Sequence, residues 1–128
     1  MAGLSMYQTG DTLFREGETG DRVFFIMSGR VQISKTLANG EVLELAVLGE
    51  GDIVGEMAVL TDRPRSATVT AIDPTEVMEV ARDNFLASME QQPKLAISFL
   101  KLLARRIQQM DEREDERWKD ALHDVEHG

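Results

Sequence analysis

The chain contains no cysteine, so a disulfide framework, thiol nucleophiles and thiolate metal sites are all excluded. Proline is scarce, with three residues, and tryptophan and tyrosine occur once each. No run of about 18 apolar residues appears, so no membrane span is expected. The opening Met1-Ala2-Gly3-Leu4 lacks the charged and apolar regions of a secretion signal. A cytoplasmic location follows as the default. The only histidines, His123 and His127, stand near the end of the chain. Their i, i+4 spacing suits two ligands on a helical face, but a polar tail explains them better and no metal is expected. Without a clustered His/carboxylate set, a Cys nucleophile or a G-x-S-x-G elbow, catalysis is not expected either.

What is present fits one globular domain. A chain of 128 residues with 42% hydrophobic and 29% charged residues can bury a core unaided. The net charge of −9 is unevenly placed: residues 111–128 carry −5, with eight acids against three bases. Such a surface repels a phosphate backbone, so direct nucleic-acid binding is not expected. A small anion would need a local concentration of donors.

The pattern changes near residue 82. Before it, short apolar stretches are broken by glycine. Val23-Phe24-Phe25-Ile26-Met27 ends at Ser28-Gly29, and Val31 to Ser34 alternates as a half-buried strand. Asn39-Gly40 signals a hairpin leading into Val42–Leu48. Asp73-Pro74 turns the chain between 68–72 and 76–80. Strands at this spacing predict an antiparallel sandwich or barrel over about 7–81. After residue 82 the period is helical. Asp83 can cap a short helix to Met89, and Pro93 suits the first turn of a longer one. Ala96, Leu103 and Met110 recur every seven residues there, widened by Phe99, Leu100, Leu102 and Ile107. A stripe this broad can serve both the chain's own barrel and a second copy. Trp118, Leu122 and Val125 continue a weaker apolar face into an acidic tail, 111–128, read as helical or disordered.

The segment 55–69 has the parts of an anion site. Gly55 permits an unusual backbone conformation. Met57 to Leu60 can form one helical turn whose free N–H groups face an anion. Thr61-Asp62-Arg63-Pro64 reverses the chain and returns Arg65 and Ser66 beside that turn. A guanidinium fork matches two phosphate oxygens, and Ser66 adds a hydroxyl and an N–H. Glu56 would repel phosphate, yet it suits a ribose 2′-OH on the same ligand. The plainer alternative is an Arg65–Glu56 ion pair in an empty scaffold. Arg63 reads as an exposed loop charge.

Gly-Glu-Met-Ala at 55–58, followed by Arg-Ser-Ala-Thr-Val from 65, resembles the phosphate-binding cassette of cyclic-nucleotide-binding domains. These occur in catabolite activator proteins, protein kinase A regulatory subunits and cyclic-nucleotide-gated channels. Gly10-Asp11, Arg15-Glu16-Gly17-Glu18, Gly20-Asp21, Phe24-Phe25-Ile26, Ser28-Gly29, Val31 and Gly51-Asp52 resemble the family's early motifs in order and spacing. The resemblance covers roughly residues 7–110.

It implies a mainly β fold with C-terminal α structure: a jelly-roll-like β-roll or barrel (a double-stranded β-helix) with a short phosphate-binding helix and a long C-terminal helix. The binding domain would span 1–110, with helices over about 83–110. Arg65 and Ser66 would hold the cyclic phosphate, with main-chain donors from Met57 and Ala58. Gly55 and Glu56 would hold the ribose. Ile33, Leu45, Ala46 and Val69 fall where the family lines the base pocket. Met110 and Asp111 replace the hydroxyl residues that read adenine in activator-like members. Arg106 occupies the position of a base that pairs with the ribose-binding glutamate. The implied ligand is cAMP in preference to cGMP, with no cofactor. A cyclic dinucleotide needs a wider mouth, and a nucleotide-free dimerisation scaffold is the other reading. The expected partners are a second copy, through helix 94–110, or an output domain beyond this chain, since no helix-turn-helix module follows.

Overall fold

In β3, Arg22–Ser28, Val23, Phe24 and Ile26 are buried, and the intervening Phe25 is half-buried. An apolar residue is tolerated on that second face because the Phe25 ring meets Phe85 of a following helix at 6.4 Å. This explains a near-continuous apolar run where an open sheet would show strict alternation. The computed structural model describes residues 2–113. The expectations for Trp118, for His123 and His127 and for the tail from residue 114 lie outside the described residues, as do the side chains of Met110 and Asp111.

Eight strands form two antiparallel sheets. The first is ordered β1-β8-β3-β6, with β1 Ala2–Tyr7, β6 Ile53–Val54 and β8 Thr75–Ala81. The second is β2-β7-β4-β5, with β2 Thr12–Phe14, β4 Arg30–Thr36, β5 Val42–Gly49 and β7 Thr68–Ala71. Apart from the β4–β5 hairpin, chain-successive strands hop between sheets in the manner of a jelly roll. The result is two facing sheets rather than a closed barrel. Phe24, Ile26, Val31, Val54, Val69 and Val77 form the core between them.

Three boundaries differ from expectation. The roll starts at Ala2 rather than near residue 7, because β1 pairs with β8 in unbroken register from Ala2↔Val80 to Tyr7↔Thr75. Helix α1 runs Glu56–Thr61, longer than one turn. Helix α2 runs Arg82–Gln91, so Asp83 lies inside its first turn and complements the helix dipole there instead of capping it. Helix α3, Pro93–Arg113, starts on the expected proline. The chain divides into two compact units, Met1–Ala87 and Ser88–Gly128. No helix of the described residues is long and apolar enough to cross a membrane.

Candidate functional site

The site begins at a glycine. Gly55 precedes α1 with φ 85° and ψ 2°, a left-handed conformation that Cβ-bearing residues resist. It offers α1 no side-chain cap, so no side chain of Gly55 competes for the first N–H groups of the helix. Glu56 opens α1 and is buried, as is Ala58, while Met57 is exposed. At the far end Asp62 is left-handed too, at φ 59°, and its N–H bonds back to the Ala58 carbonyl at 3.1 Å. Its carboxylate pairs with Arg82 at the start of α2. The loop then returns through Arg63 and Pro64, both exposed as expected of Arg63.

Arg65 is clamped through main chain and side chain together. Its N–H donates to the Glu18 carbonyl, and its own carbonyl accepts from the Gly17 N–H, both at 2.8 Å. The early Arg15-Glu16-Gly17-Glu18 motif thus forms the rail on which the cassette arginine sits. The side chain is only 5% exposed. Nη1 donates to the Gly55 carbonyl at 2.6 Å and Nη2 to the Arg22 carbonyl at 2.9 Å. The guanidinium stacks 4.1 Å above the centroid of Phe14, with Phe24 at 5.8 Å. Burial pulls its pKa below the ordinary arginine value, and Asp21, Glu18 and Glu56 pull it back up. An arginine stays protonated under such shifts, so the site keeps a fixed cation.

Two of the five guanidinium N–H donors are spent on these carbonyls. Nε is buried and has no acceptor among the described residues. A buried unpaired donor is costly, about 1–3 kcal/mol, and an anion oxygen is the acceptor that would relieve it most. Two glycines make room for the group. A Cβ on Gly20 would stand 2.4 Å from Arg65 Cζ and Nε, and one on Gly55 would stand 2.6 Å from Nη1.

The proposed base-contact residues come together only in part. Ile33 is flanked in register by Ala46 on one side and Val69 on the other, and Val69 faces Phe14 on β2. One row therefore crosses the second sheet, Ala46–Ile33–Val69–Phe14, and ends beneath Arg65. Val69 is a core residue, Ile33 and Ala46 are half-buried. Leu45 falls at the register irregularity between Ile33 and Ser34 and is 42% exposed. Ser66 is exposed beside Arg65. Met110 and Asp111 lie in α3, and Arg106 is a half-buried residue of that helix in the second unit. An open cleft of about 490 Å³ lies beside Arg65, floored by Leu13, Phe14 and Phe24 and rimmed by Glu18, Thr19, Asp21, Arg22 and Glu79. Among the described residues, Arg65 is the expected site residue that lines it.

Sequence reasoning assigned no role to Phe14 or the Arg22 carbonyl, and it marked Gly20 only as part of a family motif. Phe14 could have been found, since it precedes Arg15-Glu16-Gly17. The Arg22 carbonyl leaves no trace in side-chain chemistry. Among the described residues, no group of three or more His, Asp or Glu side chains is arranged to hold a metal ion.

Comparison with known proteins agrees with this architecture. Residues 4–92 match the family described as cyclic nucleotide-binding domain. The cyclic AMP receptor protein of Thermus thermophilus is 34% identical over 106 residues, 83% of this chain and 49% of that protein. The cAMP-dependent protein kinase regulatory subunit of Dictyostelium discoideum is 39% identical over 82 residues, 62% of this chain and 25% of that protein. A crystal structure of a cyclic nucleotide-binding domain from Methylobacillus flagellatus superimposes with a TM-score of 0.79 at 29% identity, covering 88% of this chain and 65% of that one. The chain spans about half the length of the receptor protein. With its jelly-roll order, its cassette between β6 and β7 and its buried arginine, the chain belongs to the cyclic nucleotide-binding domain family.

Proposed function

We propose that this chain is a regulatory module that binds a purine cyclic mononucleotide, cAMP in preference to cGMP, and is not itself a catalyst. The observation that supports this most directly is Arg65: a buried cation with an unpaired Nε and unspent donors, beside a buried Glu56. Arg65, Ser66 and the N–H groups of Met57 and Ala58 take the cyclic phosphate. Gly55 and Glu56 take the ribose. The base lies along Ile33, Leu45, Ala46 and Val69, and Met110 and Asp111 of α3 are the residues assigned to reading it. Arg106 is assigned the relay role that the family resemblance implies. The binding domain spans 1–110, and 111–128 is an acidic tail. Ligand shifts the population of α3 positions only through its differential affinity for them. The helix then acts on a second copy, through residues 94–110, or on an output domain. The names of the receptor-protein and kinase-subunit relatives support a cAMP ligand, and a cytoplasmic setting suits such a module.

One observation favours a second reading, a nucleotide-free scaffold. Nη1 and Nη2 of Arg65 already hold the carbonyls of Gly55 and Arg22 and need no ligand to stay folded. Calorimetric titration with cAMP, cGMP and a cyclic dinucleotide in parallel separates the two. Saturable binding of cAMP, weaker for cGMP and absent for the dinucleotide, is expected. Charge-assisted hydrogen bonds contribute about 1.5–3 kcal/mol each, so Arg65→Ala should weaken binding at least roughly 100-fold. No heat with any nucleotide, or an Arg65→Ala protein that binds like the parent, would sink the reading.

A further inference from the structure

Residues 16–18 make two kinds of connection. Their main chain follows the cassette. The Glu16 N–H donates to Thr68 Oγ1 at 3.0 Å, the Gly17 N–H donates to the Arg65 carbonyl at 2.8 Å, and the Glu18 carbonyl accepts from the Arg65 N–H at 2.8 Å. The Glu16 side chain reaches elsewhere. Its Oε1 accepts from the Thr36 N–H at 3.1 Å, twenty positions along the chain. Thr36 is the last residue of β4, where the hairpin into β5 begins.

The sheet explains why that N–H takes a side-chain acceptor. β7 begins at Thr68, opposite Ser34, and its pairing with β4 goes no further. Beyond Ser34, among the described residues, Lys35 and Thr36 pair only with Leu43 and Val42 of β5. An N–H on the open side of such an arm meets no ladder carbonyl, and the Glu16 carboxylate stands in for the strand that has ended. The arm also has a hinge at its root. The register of β4 with β5 shifts between Ile33 and Ser34, leaving Leu45 as the extra residue. A bulge of this kind bends its strand and disrupts the ladder locally. Ile33, Leu45 and Ala46, the residues assigned to the base, therefore lie at that hinge, while Arg65 and Ser66 lie on the cassette.

We propose that Glu16 is a positioning residue that sets the spacing between the two halves of the nucleotide site. Its main chain is fixed to the phosphate half, and its carboxylate tethers the arm that carries the base half. This rests on the cyclic-nucleotide reading given above and adds to it a determinant of base preference. The phosphate is held by the cassette whether or not the arm is tethered. The base meets residues at the root of the arm. Loss of the tether therefore weakens each ligand according to how much of its binding comes from the base.

Calorimetry with cAMP and with cUMP, which sets the same ribose and cyclic phosphate under a smaller base, tests this. Glu16→Ala should lower cAMP affinity by roughly three- to tenfold, the loss of one exposed hydrogen bond, and leave cUMP within about twofold. Glu16→Gln keeps an Oε1 acceptor and should restore the parent's preference. Thr36→Pro removes the donor instead, at a position whose N–H faces Glu16, and should act as Glu16→Ala does. The double variant should lose no more than either single one, because both remove the same bond. Without any nucleotide, amide exchange at Thr36 should quicken in Glu16→Ala. Four results would each overturn the role of Glu16 and leave the binding reading intact: a Glu16→Ala protein with the parent's ratio of cAMP to cUMP affinity, a Glu16→Gln protein as weak as Glu16→Ala, losses that add in the double variant, or unchanged exchange at Thr36. A parent protein that binds no cyclic nucleotide would overturn both.

Discussion

Arg65 does two jobs in one place. Its main chain fastens the cassette to the Gly17–Glu18 turn, and its guanidinium joins the carbonyls of Gly55 and Arg22 across the roll. A buried cation of this kind is tolerated because Phe14 stacks on one face and Asp21, Glu18 and Glu56 supply the field. Gly20 is the residue whose smallness permits it. A methyl group there would stand 2.4 Å from the guanidinium carbon and 2.9 Å from Ala58 Cβ. Gly20→Ala is therefore expected to push the guanidinium off its stack and reduce nucleotide affinity by tenfold or more, at a stability cost of about 1–3 kcal/mol. Gly3→Ala, which meets nothing within 4 Å, is the control. Calorimetry on both variants checks this, and equal affinities would show that Gly20 does not set the position of Arg65.

Two turns at one end of the roll hold its sheets in register. Gly29, at φ 89°, links β3 to β4. It packs against the turn between β7 and β8, where a Cβ would stand 2.4 Å from the Pro74 carbonyl oxygen. Thr75 Oγ1 donates within that corner, and Arg30 Nε bonds Asp73 at 2.6 Å. Gly40 has the same φ in the β4–β5 hairpin but open space around it. The comparison separates backbone strain from crowding. Gly40→Ala should cost about 1–2 kcal/mol, the left-handed penalty alone. Gly29→Ala should cost that plus the displacement of main chain, about 2–4 kcal/mol in all. Urea unfolding midpoints would read the difference, and equal costs would mean that the corner yields freely.

For the whole molecule, ligand binding and folding are linked. A nucleotide that binds only the folded chain adds about 2.7 kcal/mol at 100 times its Kd. The melting temperature should then rise by roughly 5–10 °C for a domain of this size. Thermal melts with cAMP and cGMP would show the shift, and an unchanged melt with both would favour the scaffold reading. Any shift should also be absent in Arg65→Ala, although that variant melts lower on its own because two main-chain carbonyls lose their donor.

Much of this protein was determined by local sequence. Alternation and glycine punctuation marked most strands, because a half-buried strand must repeat every two residues. Gly55, Glu56, Arg65 and Ser66 stood out as a group, because the proposed anion site needs donors and a permissive backbone close together. Other features were decided only when the chain closed on itself. β1 was not legible, since its partner β8 lies about seventy residues on and pairing leaves no local mark. The row Ala46–Ile33–Val69–Phe14 needed three strand registers at once. The seat of Arg65 is made from carbonyls and from the empty space at Gly20, and neither is written in any side chain. Local periodicity arises from neighbours along the chain, whereas a seat for a buried cation is built from groups that meet only in the folded state.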